Sequence, residues 1–315
     1  MTTRCNGRCR TCLWRDPGVA ELDTETVTWL YGEAGRARMA QLVMWGGEPL
    51  LRRDLPELLL AAHRAGLLTT LITNGWFLSE RWGELRGRID ALILSLDDVG
   101  PAHDALRGLP GLYARLEAFV AGVRDDPLRP TLLVNTVLSR LNRGALARVA
   151  PIAASWNAGL YFCPMEIGSV TSRGVDAPLA GLALPAEELR AAARTAATLK
   201  GAGFPILASR PYLDLLARDP TVDDYICRAP RARLTIGADG SVRDCTHSDQ
   251  ALADVRELRA ASEPLSRVFH LPGYRRMLEQ SVACTKCNNP DVVELSWLWD
   301  LRPAMLRKVA ELASL

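Results

Sequence analysis

Hydrophobic positions along the chain alternate between two kinds of segment. Short, nearly continuous apolar runs are typical of buried strands, whereas longer segments with apolar residues every three or four positions are typical of amphipathic helices. The predicted strands are 40–45, 67–73, 91–96, 131–138, 160–163 and 205–208. The predicted helices between and after them are 24–36, 55–65, 80–85, 113–124, 143–155 and 186–202. Strands and helices in alternation indicate βα units, a parallel sheet and an α/β fold.

The last third of the chain has a different pattern. Residues 209–226 are predicted to be a linker with a short helix, and the terminal helix is predicted at 303–312. Between them, two short strands at 233–237 and 241–244 flank Asp239-Gly240, a strong hairpin signal. A helix is predicted around 274–279. The predicted domains are therefore 1–208, the linker 209–226, and a small domain at 227–315.

Composition and charge narrow the class of protein. The chain has 315 residues, 48% of them hydrophobic and 23% charged, which is ordinary for a globular protein. Lysine and arginine number 38 against 36 acidic residues, so the net charge is +2 and nucleic-acid binding is not expected. No apolar run reaches transmembrane length and no signal peptide is evident, so we expect a cytoplasmic protein without membrane contact.

The N-terminal cysteines form one candidate metal site. The chain has eight cysteines, and in a reducing compartment such a number indicates metal binding more than disulfides. Cys5, Cys9 and Cys12 follow the pattern CxxxCxxC. Three thiolates on one loop can hold three irons of a [4Fe–4S] cluster and leave one iron open. A zinc loop with a distant fourth ligand, or metal-free thiols, are the alternatives.

Three further motifs follow these cysteines in order. They are Gly46-Gly47-Glu48-Pro49, Thr73-Asn74-Gly75 and Ser95-Leu96-Asp97, each at the end of a predicted strand. Together with CxxxCxxC they resemble the radical SAM superfamily. That resemblance implies a partial (β/α)6 TIM-like barrel, with a small C-terminal β-hairpin and helix domain beside it. It also implies S-adenosylmethionine (SAM) bound to the open iron and cleaved to a 5′-deoxyadenosyl radical.

The resemblance assigns SAM contacts to the strand ends. Gly46, Gly47 and Glu48 match the motif that holds the methionine amine, and glycines permit close backbone approach. Ser95 and Asp97 match positions that contact the ribose. In barrels of this kind, catalytic groups cluster at the carboxyl ends of the strands.

Three more residues near strand ends are candidates for the site. Asn135 matches a polar residue near the methionyl or ribose groups of SAM, although asparagine is also a common turn former. Cys163 is a candidate hydrogen-atom donor, with a small buried side chain as the alternative. Glu166 is a candidate polar substrate contact, or else a carboxylate paired with arginine on the rim.

The remaining cysteines indicate a second metal site. Cys227, Cys245, Cys284 and Cys287 lie around the predicted hairpin and in a CxxC. They resemble the SPASM/Twitch extension of radical SAM enzymes, which implies one auxiliary [4Fe–4S] cluster with all irons ligated by protein. Its role would be electron transfer or scaffolding. A four-cysteine zinc ribbon is the alternative.

The resemblance leads to an expected activity. We expect a radical SAM oxidoreductase or lyase that abstracts hydrogen from a small polar metabolite, such as a carbohydrate, aminocyclitol or nucleoside-sugar intermediate. The outcome would be oxidation, decarboxylation, dehydration or epimerisation, with flavodoxin or ferredoxin as the reductant. One alternative is a peptide maturase, which the four residues before Cys5 disfavour because a leader-recognition domain has no room there. The other is a non-catalytic iron–sulfur or zinc scaffold.

Overall fold

Five parallel strands form the central sheet of the computed structural model. The structure describes residues 1–12, 18–165, 179, 181–243, 245, 250–284, 287–303, 305 and 308. The strands are β1 Gln41–Met44, β2 Leu68–Thr73, β3 Ala91–Ser95, β4 Thr131–Leu138 and β5 Gly159–Pro164. Their order in the sheet follows the chain, and every pair is parallel. The predicted α/β class and partial barrel are confirmed.

Helices connect the strands. They are α1 Thr24–Arg36, α2 Leu55–Arg64, α3 Leu78–Leu85, α4 Gly100–Arg107, α5 Leu112–Gly122, α6 Ala145–Ser155 and α7 Ala186–Gly201. The side chain of Asp23 caps α1 by accepting a hydrogen bond from the amide of Thr26 at 2.7 Å. Helix α4 was not predicted. It ends at Gly108, whose φ of +63° is left-handed.

The sheet has one covered face and one open face. Leu92, Leu94, Val134, Leu160 and Phe162 are fully buried in the core. Because side chains alternate across a strand, their neighbours in the strands lie on the opposite, partly exposed face. The predicted sixth strand is reduced to a parallel bridge between Leu160 and Ile206.

The C-terminal lobe consists of small elements. Helix α8 is Arg210–Arg218, within the segment predicted as a linker, and α9 is Ala229–Ala232. The strands β6 Thr235–Ile236, β7 Ser241–Arg243 and β8 Ala251–Asp254 form an antiparallel sheet. The remaining helices are α10 Val255–Ala260, α11 Pro272–Ser281 and α12 Pro290–Trp299. The hairpin was predicted, whereas β8, α10 and α12 were not. Most of the predicted helix 303–312 lies outside the described residues.

The C-terminal lobe contacts the sheet domain at the first helix and at the residues just before it. The amide of Leu22 donates to the carbonyl of Ala238 at 3.0 Å, and the amide of Leu265 donates to the Glu33 carboxylate at 2.9 Å. Arg259 forms an ion pair with Glu25 at 2.9 Å. Over the described part of the chain, no helix is both long and apolar enough to cross a bilayer.

Candidate functional site

The open face of the sheet brings together three of the predicted site residues. Ser95 is opposite Asn135 in the register of β3 and β4, and Asn135 is opposite Tyr161 in β5. The Cys163 thiol lies 3.5 Å from the side-chain oxygen of Asn135. A polar surface therefore crosses three adjacent strands near their carboxyl ends. Glu166 lies outside the described residues.

The first residues of the chain lie against the Gly-Gly-Glu turn. The carbonyl of Thr2 accepts from the Gly47 amide at 2.7 Å, and that of Arg4 accepts from the Glu48 amide at 2.8 Å. A Cβ atom on Gly46 would collide with the Thr2 carbonyl, and one on Gly47 with the Arg4 carbonyl. The two glycines are thus required by the protein's own N-terminal segment, whatever else approaches them.

Glu48 is fully buried and fixed by three donors. Oε1 accepts from the hydroxyl of Thr73 at 2.7 Å and from the amide of Leu50 at 3.0 Å, while Oε2 accepts from the amide of Asn74 at 2.8 Å. Burial raises the pKa of Glu48, although these hydrogen bonds act in the opposite direction. A carboxylate has about four acceptor positions, so Glu48 retains capacity for a further donor such as an ammonium group.

The Thr-Asn-Gly motif contacts the cysteine loop directly. Asn74 Nδ2 donates to the side-chain oxygen of Asn6 at 2.9 Å, and Asn6 lies next to Cys5. Asn74 Oδ1 accepts from the amide of Trp76 at 2.9 Å, which fixes the orientation of the Asn74 side chain. The sequence did not single out Asn6, since no pattern distinguishes it from other loop residues.

Helix α4 holds the other side of the cysteine loop. The amides of Arg8 and Arg10 donate to the carbonyls of Arg107 and Leu106 at 2.9 and 3.0 Å. These carbonyls belong to the last turn of the helix, where no intrahelical donor is available. The loop therefore completes the hydrogen bonding of the helix end.

Asp97 is buried and contacted from several sides. Oδ1 accepts from the amide of Val137 at 2.9 Å, and Oδ2 forms an ion pair with Arg107 Nε at 2.8 Å. The amide of Asp97 donates to Nδ1 of the buried His103 at 3.2 Å, and its carbonyl accepts from Asn142 Nδ2 at 2.8 Å. Asp97 thus links β3, β4 and α4, and its contact with ribose remains a prediction.

The environment of the three N-terminal thiols fits metal binding. Cys5, Cys9 and Cys12 are partly exposed. Burial raises the pKa of Cys5 to about 11, and burial also raises that of Cys9 although the Arg107 charge opposes it. The metal-free thiols of Cys5 and Cys9 are therefore protonated at neutral pH, so ligation would release protons. The amide of Gly7 lies 3.3 Å from Cys5 Sγ, and Arg107 Nη1 lies 3.9 Å from Cys9 Sγ, as donors to cluster sulfurs do.

Unpartnered polar atoms surround this loop. Among the described residues, the buried side-chain polar atoms without a hydrogen bond are Thr3 Oγ1, Asn6 Nδ2, His103 Nε2 and Arg107 Nε. The last of these has only its ion pair with Asp97. Buried polar groups are normally satisfied, and all of these lie in residues 3–6 at the start of the chain or in α4. The donor set therefore fits a polar cofactor bound at this position.

The C-terminal thiols converge in the small lobe. Cys227 and Cys287 are buried, and Cys245 and Cys284 are partly exposed. Burial raises the pKa of Cys227, and the neighbouring Cys284 and Cys245 raise it further. Over the described ranges, no three histidine, cysteine or acidic side chains are close enough together to hold a single metal ion.

Tyrosine hydroxyls fix the backbone around the CxxC. Tyr225 donates to the carbonyl of Cys287 at 2.8 Å, and Tyr212 donates to the carbonyl of Asn288 at 2.6 Å. The side chain of Asn289 then caps α12 by accepting from the Val292 amide at 3.3 Å. The sequence analysis missed α12, although Asn289-Pro290 is a helix-start signal.

Comparison with known proteins agrees with this architecture. The radical SAM superfamily model matches residues 1–139. Proteins named PqqA peptide cyclase from Rhizobium meliloti (strain 1021) and Ruegeria pomeroyi are each 29% identical to the chain. The alignments cover 86% and 93% of this chain and 72% and 79% of those proteins.

Two solved structures share the fold. Streptococcus suis SuiB bound to precursor peptide SuiA has a TM-score of 0.68 at 14% identity, over 92% of this chain and 69% of that chain. BtrN in complex with AdoMet and 2-DOIA has a TM-score of 0.51 at 14% identity, over 91% of this chain and 88% of that chain.

The expectation of a small polar metabolite as substrate and partner is wrong. The relatives aligned over most of the chain are named as peptide cyclases, and SuiB, with the higher TM-score, is bound to a precursor peptide. The motifs used for the expectation are those that the resemblance assigns to SAM and iron, which enzymes with unrelated substrates share. They therefore carry no information on the substrate.

Motifs, fold and relatives agree on the family. The CxxxCxxC loop, the Gly-Gly-Glu turn and the strand ends of β2 and β3 lie together, linked directly or through Asn6 and Arg107. The chain is an enzyme of the radical SAM superfamily, with a C-terminal SPASM/Twitch-type extension, and its cofactors are SAM and [4Fe–4S] clusters.

Proposed function

We propose that this enzyme modifies a precursor peptide. The observation that carries the proposal is the extent of the likeness to the peptide cyclases, which reaches 93% of the chain. A likeness due only to the shared cofactor would be confined to the region of the family match, residues 1–139. The alignment with the Ruegeria pomeroyi protein continues beyond that region and includes most of the cysteine lobe.

In this proposal, the two cysteine groups would hold different clusters. Cys5, Cys9 and Cys12 would hold the cluster with the open iron, and Arg107 lies beside the thiol of Cys9. Cys227, Cys245, Cys284 and Cys287 hold the auxiliary cluster. When bound, the first cluster and SAM supply a 5′-deoxyadenosyl radical that abstracts a hydrogen atom from the substrate.

The strand ends orient SAM. The proposed contacts are Glu48 for the methionine amine, with Gly46 and Gly47 in the same turn, and Ser95 and Asp97 for the ribose. The buried Glu48 keeps one acceptor position for the amine because its other positions are used by Thr73, Leu50 and Asn74. Asn135 extends this polar surface along the open face.

The substrate lies farther along the same face. Tyr161 and Cys163 follow Asn135 across the sheet, and they are the proposed contacts of the peptide side chain that is attacked. Burial raises the pKa of Tyr161 to about 12, so its hydroxyl remains a donor at neutral pH. Glu166 follows β5 in the sequence and is proposed as a polar contact of the peptide.

The proposed net reaction is an oxidative cross-link within the peptide. One new bond forms and two bonds to hydrogen break. One hydrogen atom passes to the adenosyl carbon, and the other leaves as a proton while its electron goes to a one-electron carrier protein. Reconstituted, reduced enzyme should therefore lower the mass of its peptide by two hydrogen atoms and release 5′-deoxyadenosine.

The test uses short peptides encoded beside the gene, with an aminocyclitol as the comparison substrate. Under anaerobic conditions, mass spectrometry follows each candidate while chromatography follows 5′-deoxyadenosine. Peptide modification without turnover of the aminocyclitol supports the proposal. Turnover of the aminocyclitol with every peptide unchanged would overturn it.

A further inference from the structure

Arg107 contacts both halves of the proposed SAM site. We propose that Arg107 is a positioning residue that ties Cys9 to Asp97 and raises the reduction potential of the cluster bound by the N-terminal loop. The proposal rests on Cys9 being a ligand of that cluster. It does not depend on the identity of the substrate, so it can fail while the peptide proposal holds.

The guanidinium is almost enclosed. The side chain of Arg107 is 12% exposed and that of Asp97 is 5% exposed, with Nε and Oδ2 2.8 Å apart. Nη1 lies 3.9 Å from Cys9 Sγ. Because arginine remains protonated in proteins, the side chain carries its positive charge between a carboxylate and a thiol sulfur.

Only arginine has the geometry for this position. Its planar fork presents separate N–H donors to two partners in a fixed relation, whereas lysine offers one compact ammonium group. In Arg107, one nitrogen is directed to β3 and another to the cysteine loop. A lysine would keep the charge and lose one of the two contacts.

The backbone holds Arg107 in place on both sides. Its carbonyl accepts from the Arg8 amide at 2.9 Å, one residue before Cys9. The following Gly108 has φ +63°, and a Cβ there would lie 3.1 Å from the carbonyl oxygen of Arg8. At the other end, His103 in the same helix accepts from the Asp97 amide. Helix α4 thus connects the cysteine loop to the strand end of β3 through His103 and Arg107.

A fixed cation beside a ligand sulfur changes the cluster's redox balance. Reduction adds an electron, and a nearby positive charge in a site of low polarity stabilises the more negative state. The same side chain orients Asp97, the proposed ribose contact. Residues of this kind, which hold the ligands of a metal site, commonly affect affinity or activity by about 10- to 100-fold.

The test compares three variants of the holoenzyme. R107Q removes the charge, R107K keeps it without the fork, and R148Q is the matched control. Arg148 makes a bidentate ion pair with the neighbouring Asp98 at 2.7 and 2.6 Å, and its side chain is 44% exposed. The readouts are iron per chain, an EPR redox titration of the signal that SAM perturbs, and the Kd of SAM.

In R107Q, the equilibrium constant for reduction of that cluster should fall about tenfold or more, with a similar loss of SAM affinity. R107K should retain the reduction constant and lose SAM affinity. If R107Q loses the N-terminal cluster while R107K and R148Q keep it, the reduction constant cannot be measured in R107Q. The lower iron content of R107Q then supports the positioning role of Arg107. The proposal would be overturned if R107Q had the same iron content, reduction constant and SAM affinity as the wild type. Equal losses in R148Q would also overturn it.

Discussion

The N-terminal cysteine loop and the C-terminal cysteine lobe are held by secondary-structure elements of very different size. The backbone just before the loop is hydrogen-bonded to the turn after β1, and the backbone of the loop itself is hydrogen-bonded to the last turn of α4. Both partners belong to the large parallel sheet domain. The lobe has an antiparallel sheet whose strands β6 and β7 contain two and three residues. Its CxxC backbone depends on the hydroxyls of Tyr225 and Tyr212.

Because of this difference, we expect the first cysteine group to matter mainly for SAM cleavage and the second to matter also for folding. The backbone groups that hold the loop belong to elements packed on the hydrophobic core, so we expect them to keep their structure without metal. The lobe has buried side chains that join the common core, but its sheet is small and its CxxC backbone is held by few hydrogen bonds, so metal binding there should add folding free energy. The first cluster can therefore be lost with little change in stability, whereas loss of the second should unfold part of the chain.

The largest expected effect comes from removing each set of thiols. The triple variant with Cys5, Cys9 and Cys12 changed to alanine should produce no 5′-deoxyadenosine, keep about four irons per chain out of about eight, and melt within about 2–4 °C of wild type. The double variant Cys227→Ala/Cys284→Ala should instead lose solubility and unfold at a clearly lower temperature. Iron analysis, product chromatography and calorimetry measure these outcomes.

Two results would contradict these roles of the loop and the lobe. SAM cleavage by the triple variant would mean that the open-iron cluster is elsewhere. About four irons together with one tightly held zinc in the wild-type chain would make the lobe a structural zinc ribbon. The lobe would then still support folding, but not as a second cluster site.

Much of the sheet domain was predictable because its signals are local. The strands are apolar runs with polar residues at their ends, and the motif order determined which ends meet. Helix α4 was missed because it is only eight residues long and begins with Gly100-Pro101. As a result, His103 and Arg107 were overlooked, although a histidine and an arginine one helical turn apart follow directly after the Ser-x-Asp motif.

The lobe was less predictable because its contacts are distant in sequence. The hydroxyl of Tyr225 bonds to Cys287, 62 residues away, and no periodic pattern records such a contact. The turn at Gly240, with φ +86°, was evident from Asp-Gly alone. The substrate class was missed for a related reason, since residues that contact a peptide need no fixed spacing.

A smaller effect is expected at the contact between the loop and β1. Gly47→Ala places a Cβ against the Arg4 carbonyl and the Thr3 backbone, so the N-terminal segment must move. We expect a loss of about 2–4 kcal/mol in unfolding free energy and loss of iron from the N-terminal site. Denaturant titration and iron analysis measure both effects.

The matched control is Gly83→Ala in α3, where a new Cβ meets no atom within 4 Å. That change should be neutral or stabilising, because alanine is favoured over glycine in a helix by about 0.5–1 kcal/mol. If Gly47→Ala retained the iron and stability of the wild type, the N-terminal segment would not be the support of the loop.

The smallest expected effect is a difference in acid sensitivity between the two sites. Burial, followed by the charge of Arg107, lowers the pKa of His103 to about 3, against about 6.5 in an unfolded chain. The folded state thus holds His103 neutral, with Nδ1 accepting from the Asp97 amide. The stability this contributes is complete above about pH 6.5 and is lost as the pH falls from there towards about 3, by about 1.4 kcal/mol per pH unit.

His103→Asn tests this directly, because the asparagine Oδ1 can take the place of Nδ1 as acceptor and does not titrate. Between about pH 6.5 and pH 5.5, urea titrations should show the wild type losing about 1 kcal/mol more than the variant. The lobe should not share this loss, because burial raises the pKa of Tyr225 and its hydroxyl stays protonated throughout. Equal pH slopes of the unfolding free energy for wild type and His103→Asn would show that His103 does not link α4 to Asp97 in the folded protein. The loss of stability in acid would then have to come from groups common to both sites.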